Sequence, residues 1–423
     1  MINGSGSMEN IKLKGEPVVI VNKDFKKCML FISFPIYNAD YAKISILKKM
    51  AFDKSAVYNT DKKIYEVNVN NYCLSYSGRI ISCGNNYFLE LILTYPCYDC
   101  INIDVLDDNL KFIKEIIYNP YLEDGAFPTK DIEDIKSIIK NNINMHFNDG
   151  MWFFKYKNDK NIDEDDYLMS STLENPSLLD SITSYDIYEL YKDIISRPPI
   201  VFLMGNVDEC KAKDSIKRIL LDNKLSDIEY ENKYRYYAKD IPCIPDEITE
   251  SVKFKSTGIA YNYKVRNLDS EKDIALLKLV KMLFYSTSSR LLYDVFRKDN
   301  DLVYRCGAYV YSTFGNLTLW VMTGNNNIDI VKNIFDNILN VVNDINFIEG
   351  KLKLIKEELK LDVDLSKESI YKTLMIYVDK YIGFCEKSFY EYIKDINATE
   401  IKDFIDNRLV LVSKYIGVGE DNE

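Results

Sequence analysis

The chain has 423 residues, 47% of them apolar, and carries 54 basic against 65 acidic residues, for a net charge of −11. Because single domains usually stop growing near roughly 250–300 residues, this length predicts two domains with substantial cores. The acidic balance excludes a general nucleic-acid binder, which needs a basic surface. No apolar run approaches the ~18–20 residues that span a bilayer, so we expect neither nucleic acid nor membrane as a partner.

The N-terminal sequence and the cysteine count predict a cytoplasmic location. Residues 1–7 contain Gly-Ser-Gly-Ser and are expected to be a cloning remnant or a disordered start, with Met8 as the natural first residue. The segment lacks the apolar core of a signal peptide. Nine cysteines, an odd number, in a long chain of this kind are typical of a reduced compartment.

The first half of the chain alternates between strand-like and helical patterns. An apolar run at residues 28–34 predicts a strand, and a helical period predicts a helix over 42–52. Thr183 and Asp186 have the spacing of a capping box, which marks a helix start. The other predicted elements of this half are strands at 72–76, 89–93 and 201–204 and helices at 132–143 and 187–194.

Cys97 and Cys100 have the CxxC spacing, but the sequence has no second CxxC to complete a four-cysteine site. A structural zinc that uses Cys73 or Cys83 is the alternative. We expect free and mostly buried thiols, because cysteine in a large reduced chain usually behaves as a small apolar residue.

The second half follows the same order of patterns. A strand is predicted at 257–265 and a helix at 274–284, followed by a hairpin of strands 304–311 and 317–323 with Gly315 in its turn. Apolar stripes and alternation then predict helices at 331–342, 352–363, 370–381 and 401–405 and a last strand at 409–416.

Short matches between the halves indicate a tandem duplication. Residues 47–52 resemble 279–284, and two weaker matches follow in the same order. The predicted fold class is α+β, with two tandem homologous halves, each a mainly antiparallel sheet with helices packed on one side. The predicted domains are 8–225 and 254–423, joined by a charged, proline-containing linker at 226–253.

Residues 289–324 carry the most specific pattern in the chain. Ser289, Arg290 and Leu291 begin a short helix that holds Arg297, and Tyr304 follows seven residues later at the start of the hairpin. This pattern resembles the C-terminal half of the pitrilysin/insulinase family of zinc metallopeptidases, the inverzincins. Residues 118–127 and 205–208 resemble further segments of that family, and two similar α+β halves are its architecture.

The family's zinc motif, His-x-x-Glu-His, does not occur in the chain. The corresponding helix, predicted over residues 41–58, has no His, Asp or Glu between Asp40 and Asp53 and carries Lys43, Lys48, Lys49 and Lys54. Ammonium groups cannot bind zinc and would repel it, because zinc ligands are thiolates, imidazoles and carboxylates. We therefore expect no metal and no cofactor on this chain.

His146 is the single histidine. It could serve as a lone ligand or a general base, but its polar neighbours favour a surface or helix-capping position. A Ser-His-Asp or Cys-His site would have to use it, and no Gly-x-Ser-x-Gly nucleophile turn supports one.

The resemblance is greatest to bacterial two-subunit members of the family, in which one subunit lacks the zinc motif. It implies a non-catalytic subunit of a heterodimeric zinc metallopeptidase, with a homologous zinc-bearing subunit and a peptide substrate as partners. Arg297 and Tyr304 would then bind and polarise the peptide carbonyl at the partner's zinc. The alternatives are a purely structural subunit and a peptide-binding chaperone without a role in proteolysis.

Overall fold

The computed structural model describes residues 10–37, 40–83, 86–162, 175–231, 245–312, 315–382 and 387–420. Residues 1–7, expected to be a remnant or a disordered start, lie outside these ranges. The chain divides into two compact units, Met1–Ile143 with Leu168–Tyr234 and Ser366–Phe384, and Asn144–Tyr167 with Arg235–Leu365 and Cys385–Glu423.

The described strands are β1 Asn10–Leu13, β2 Val18–Val21, β3 Lys27–Ile36, β4 Ser75–Cys83, β5 Asn86–Pro96, β6 Ile200–Gly205, β7 Ile228–Glu231, β8 Asp246–Val252, β9 Thr257–Val265, β10 Val303–Tyr311, β11 Asn316–Thr323 and β12 Leu409–Gly419.

The described helices are α1 Tyr41–Met50, α2 Asp61–Asn70, α3 Tyr98–Ile101, α4 Leu106–Tyr118, α5 Thr129–Phe147, α6 Gly150–Ile162, α7 Ser184–Ile195, α8 Glu209–Ser215, α9 Glu271–Phe284, α10 Leu291–Tyr293, α11 Ile328–Val342, α12 Ile345–Ser366, α13 Ile370–Tyr381, α14 Phe389–Ile393 and α15 Ala398–Arg408.

Each unit has a five-stranded sheet of the same design. The order is β2-β6-β3-β5-β4 in the first unit and β10-β11-β9-β12-β8 in the second. In each sheet one outer pair, β2 with β6 or β8 with β12, is parallel and the other pairs are antiparallel. The first unit adds a small antiparallel sheet of β1 and β7. The predicted class, α+β in two similar halves with mainly antiparallel sheets, is confirmed.

The alternation of side chains along β3 divides the core of the first unit into two layers. Leu30 and Ile32 are buried among apolar residues of α1, α4 and α7 on one face. Met29 and Phe31 point to the other face, where Leu374 of α13 covers them. The sheet is therefore covered on both faces, and not on one side as the sequence analysis predicted, because a helix late in the sequence forms the second layer.

The second unit has a matching arrangement. On one face Tyr261 of β9 stacks on Phe335 of α11, with ring centroids 4.6 Å apart. On the other face Phe154 of α6 packs with Ala260, Met322 and Tyr415. One helix that covers each sheet thus comes from the other half of the sequence. The predicted domains 8–225 and 254–423 therefore differ from the two observed units, each of which includes a segment from the other half.

Several predicted boundaries differ from the observed ones. The helix predicted over 41–58 ends at Met50, because Phe52 adopts a left-handed φ of 65°. The strand predicted at 72–76 begins at Ser75, since Tyr72 has a left-handed φ of 52°. Residues 228–231 and 246–252 of the predicted linker form strands, and residues 232–244 lie outside the described ranges.

The capping box and the hairpin turn are as expected. The Thr183 hydroxyl accepts from the Asp186 backbone N–H, and the Asp186 carboxylate accepts from the Thr183 backbone. Gly315 has a φ of 60° between the two hairpin strands, a conformation that favours glycine. Within the described residues, no helix is long and apolar enough to cross a membrane.

Candidate functional site

A tight turn holds Arg297 beside the first residues of β10. Helix α10 continues as a wider π-helical turn, Asp294–Lys298, and Asp301 then reverses the chain with a φ of 48°. Buried Phe296 anchors the turn in the core of the second unit. The Arg297 guanidinium Nη1 donates to the Tyr304 backbone carbonyl at 2.6 Å. The predicted pair is therefore adjacent in space.

Tyr304 presents its phenol to solvent. Its side chain is 61% exposed, and its hydroxyl lies 3.6 Å from the place that a Cβ on Gly324 would take. The pairing of β10 with β11 is irregular between Val303 and Arg305. This irregularity leaves both Tyr304 and Arg305 exposed on consecutive positions, where a regular strand would send them to opposite faces.

Strand β10 is an edge of its sheet, and a pocket of about 600 Å³ runs beside it. The pocket brings Arg297 and Tyr304 together with residues from α6 and β11. The pocket is mainly aromatic and apolar, with three cations. Its lining is Met151, Trp152, Phe154, Lys155, Tyr285, Tyr293, Arg297, Tyr304, Arg305, Cys306, Gly307, Ala308, Tyr309 and Trp320.

Lys155 and Arg305 are the pocket cations that the sequence analysis missed. The Lys155 ammonium lies 4.6 Å from the centroid of the Tyr309 ring and 5.9 Å from that of Tyr311. The Arg305 Nη1 donates to the Met151 sulfur at 3.5 Å, a weak acceptor. Burial raises the pKa of the nearby Cys306 thiol to about 11, although Arg297 opposes this shift.

A buried polar network fixes the helix that forms one pocket wall. The hydroxyls of Tyr309 and Tyr311 donate to the Asp159 carboxylate of α6 at 2.5 and 2.6 Å. Burial raises the pKa of Asp159, and the two tyrosine hydrogen bonds oppose that shift. Asn158 and Asn262 exchange amide hydrogen bonds of 2.8 and 3.2 Å. Bonded buried groups of this kind orient α6 on the sheet.

His146 does not lie in a catalytic arrangement within the described residues. It is exposed in the last turn of α5 and stacks on Trp152, with ring centroids 4.6 Å apart. Trp152 in turn stacks on Tyr156 at 5.7 Å. The alternating tyrosines 309 and 311 and the tryptophan beside His146 were the signals in the sequence that could have indicated this aromatic wall.

The two cysteines of the CxxC segment lie in different environments. Cys97 is buried, with its sulfur 3.3 Å from that of Cys28. Cys100 is exposed, and its thiol donates to the Lys26 carbonyl at 3.3 Å. Cys73 is partly buried with a pKa raised to about 11 by burial, and the side chain of Cys83 lies outside the described residues.

The place where the family's zinc motif would fall does not fit zinc. The α1 ammonium of Lys43 is paired with Asp186 at 3.2 Å, and Lys49 lines a cavity of about 260 Å³ at the end of the helix. Asp131 and Lys54 also line this cavity. Among the described residues, no group of three or more His, Cys, Asp and Glu side chains could hold a metal ion.

Comparison with known families finds a match in the middle of the chain. Residues 181–359 match the family model described as the peptidase M16 inactive domain. Over these residues the chain is similar to peptidase M16 inactive domains. The resemblance to the metallopeptidase family that was drawn from the sequence is confirmed. The matched M16 residues include Arg297 and Tyr304 but not α6, which contributes Trp152 and Lys155 to the pocket.

A curated relative is consistent with this similarity. This chain is 23% identical over 260 residues to the "Probable inactive metalloprotease YmfF" of Bacillus subtilis (strain 168), a match that covers 60% of this chain and 59% of YmfF. The chain therefore spans less than two thirds of the curated relative that it matches.

Two solved structures share the fold. A conserved protein from Enterococcus faecalis V583 superposes with a TM-score of 0.82 at 17% identity, covering 98% of this chain and 100% of that one. A protease from Helicobacter pylori superposes with a TM-score of 0.69 at 12% identity, covering 97% and 99%. At these identities the likeness shows the α+β architecture alone.

Proposed function

We propose that this chain is the non-catalytic subunit of a heterodimeric zinc metallopeptidase. It lines the chamber of a homologous, zinc-bearing subunit and binds the peptide that this partner cleaves. The observation that carries the proposal is the placement of Arg297 and Tyr304 on one pocket beside an edge strand, within residues that match an M16 inactive domain.

The two side chains offer the chemistry that peptide cleavage needs from a non-catalytic subunit. A guanidinium and a phenol are both hydrogen-bond donors, and neither needs to change its protonation state to act. Donors directed at a peptide carbonyl oxygen stabilise the negative charge that develops on it during cleavage. Arg297 and Tyr304 would contribute these donors in trans, because α1 carries lysines where zinc ligands would be needed.

The edge strand supplies a way to hold the peptide. An extended peptide binds commonly by adding a strand to an exposed sheet edge, where main-chain hydrogen bonds give affinity and side-chain pockets give specificity. Strand β10 is such an edge, and the pocket of about 600 Å³ lies beside it. A peptide on β10 would pass the exposed phenol of Tyr304.

The partnership is tested by co-expression with a homologous subunit that has the His-x-x-Glu-His motif. We expect the two chains to purify together as a heterodimer that cleaves a quenched fluorescent peptide, whereas this chain alone has no activity. Zinc-dependent cleavage by the isolated chain, or failure of the two chains to associate at micromolar concentration, would contradict the proposal.

The roles of the two donors are tested in the assembled complex. Arg297→Ala and Tyr304→Phe should each lower kcat, by roughly 10²–10³ for loss of one oxyanion donor, with little change in Tm. Arg290→Ala and Tyr65→Phe are matched controls, since both residues are exposed and neither lines the pocket. Equal kcat in all four variants would refute the catalytic role.

One contact favours a second candidate, a structural or peptide-binding subunit without a role in proteolysis. The Arg297 guanidinium bonds the carbonyl of Tyr304 in its own chain, which stabilises the turn between α10 and β10. If this contact is its main role, Arg297→Ala should lower Tm and leave kcat unchanged, whereas a catalytic role predicts the opposite.

A further inference from the structure

The pocket beside β10 has a charge opposite to that of the chain as a whole. The net charge is −11, yet the pocket lining includes Lys155, Arg297 and Arg305 and contains no Asp or Glu. A cavity with cations and apolar walls concentrates positive potential, because field lines are focused where water is scarce. The pocket is therefore suited to an anionic group.

The cationic side chains of the pocket differ in whether a carboxylate of the protein already lies near them. The charge of Lys155 opposes the rise that burial causes in the pKa of Asp159, and the oxygens of that carboxylate accept hydrogen bonds from Tyr309 and Tyr311. Arg305 contacts the thioether of Met151, and within the described residues it forms no ion pair. Arg305 is thus the cation with most to gain from a carboxylate, since a charge-assisted hydrogen bond is stronger than one to sulfur.

The rest of the lining fits a bulky apolar or aromatic group. Trp152 of α6 and Trp320 of β11 both line the pocket. Gly307 leaves room for the Trp320 indole, because a Cβ at position 307 would lie 3.0 Å from it. Trp, Tyr and Arg are also the residue types that contribute most to binding energy at recognition sites.

We propose that this pocket selects a peptide segment in which an Asp or Glu side chain lies next to an aromatic residue. The carboxylate is bound by Arg305, with Lys155 as the second cation, and the aromatic ring packs against Trp152 and Trp320, which line the pocket. This inference rests on the proposed function, because it specifies which peptides the subunit presents. It concerns sequence preference, whereas Arg297 and Tyr304 act on the peptide main chain.

The chain has two tryptophans, and both line the pocket. Tryptophan fluorescence, excited at a wavelength that the 33 tyrosines do not absorb, therefore reports occupation of this one site without any label. The experiment titrates the full chain with three extended peptides that contain Phe-Glu, Phe-Gln or Phe-Lys at the centre and are otherwise identical, with blocked ends. We expect the Phe-Glu peptide to bind at least roughly tenfold more tightly than the Phe-Gln peptide, the ratio expected for one charge-assisted bond.

Three variants test whether Arg305 causes the preference. Arg305→Gln should remove the preference for Phe-Glu over Phe-Gln, and Arg305→Lys should keep most of it. Lys353→Gln, which makes the same charge change on an exposed position of α12, should keep the preference fully. Circular dichroism of each variant verifies that the fold is intact.

The outcomes separate this inference from the proposed function. Equal binding of Phe-Glu and Phe-Gln would overturn the charge preference and leave peptide binding by the subunit standing. A preference that persists in Arg305→Gln would also overturn it, because the carboxylate would then bind elsewhere. If no peptide changes the tryptophan fluorescence, the pocket is not a peptide site and the inference is overturned. Association with a zinc-bearing partner is decided separately by co-purification.

Discussion

Gly258 of β9 lets helix α6 approach the second sheet. A Cβ at this position would lie 2.1 Å from Cδ2 of Phe154, a distance that forces atoms to move. Phe154 is buried and stacks on Tyr415 with ring centroids 5.5 Å apart. The Phe154 ring therefore has little room to move away. Because Gly258 has no side chain, α6 can pack close to the sheet, and this sets the position of the pocket wall that α6 forms.

We predict that Gly258→Ala destabilises the protein by roughly 1–3 kcal/mol, as expected for overpacking a filled core. Tryptophan fluorescence should change as well, because Trp152 is two residues from Phe154 on α6. Urea unfolding measures the first effect. Gly350→Ala is the matched control: its Cβ would meet nothing within 4 Å, so it should stabilise α12 by about 0.5–1 kcal/mol. Equal stability of the two variants would contradict this reading of Gly258.

At the scale of elements, a polar cluster in the first unit binds α13 to its sheet. Arg79 of β4 forms an ion pair of 2.7 Å with buried Glu90 of β5, and its Nη1 donates to the Tyr371 hydroxyl at 2.7 Å. Burial raises the pKa of Glu90 to about 7 and that of Asp379 to about 6, and Arg79 opposes both shifts. Arg79 pairs directly with Glu90, whereas its charge acts on Asp379 without a direct bond, and burial favours the protonated form of both carboxyl groups.

This cluster predicts lower stability at higher pH. Glu90 ordinarily titrates at 4.5 and in the fold at about 7, so the folded state keeps a proton that the unfolded state loses. Its stabilising contribution is complete below about pH 4.5 and is lost as the pH rises through about 7. The unfolding free energy should fall by roughly 1–3 kcal/mol between pH 5 and 7.5.

Urea unfolding at several pH values measures this dependence. Glu90→Gln should flatten it, because the titrating group with the larger shift is gone. The same change at Glu66, an exposed residue of α2, is the control and should preserve it. A slope that Glu90→Gln does not change would assign the pH dependence to other groups.

The spacing of apolar residues along the sequence predicted most helices and strands, because it indicates which side chains are buried. The strand 257–265 and the helix 370–381 were predicted with their observed bounds. The helix α4 was missed although Leu110, Ile113 and Ile117 have a clear helical period. The end of α1 at Met50 could not be predicted, because the left-handed φ of Phe52 depends on tertiary packing.

The candidate site was only partly predictable for the same reason. The spacing of Arg297 and Tyr304 is local, so the sequence could indicate that the two side chains meet. The contributions of Lys155 and Trp152 are not local, because α6 joins a sheet whose strands begin about a hundred residues later. Periodicity reports that a helix has a buried face, and it does not report which sheet covers that face.

At the scale of the whole molecule, each unit depends on a helix from the other half of the sequence. In the first unit, α13 covers Met29, Phe31 and Phe202. In the second, α6 covers Ala260 and Met322. A half chain would leave such a surface bare, and large exposed apolar patches lead to aggregation or association.

We therefore predict that residues 8–231 and 245–423, which keep strands β7 and β8, are aggregated or lack cooperative unfolding when they are expressed separately. Expressed together, they should recover the fold, because each then supplies the missing helix. Size-exclusion chromatography and thermal unfolding provide the comparison with the intact chain. A first half that unfolds cooperatively on its own would show that α13 is dispensable.

The late position of α13 also has a consequence for biosynthesis. Strand β6 is complete at Gly205, but the helix that covers its outer face begins only at Ile370. At a translation rate of roughly 5–20 residues per second, the nascent first sheet waits on the order of ten seconds at the ribosome with Phe31 and Phe202 uncovered. This interval is a natural time for a chaperone to bind, and the yield in cells should depend on translation speed between these two points.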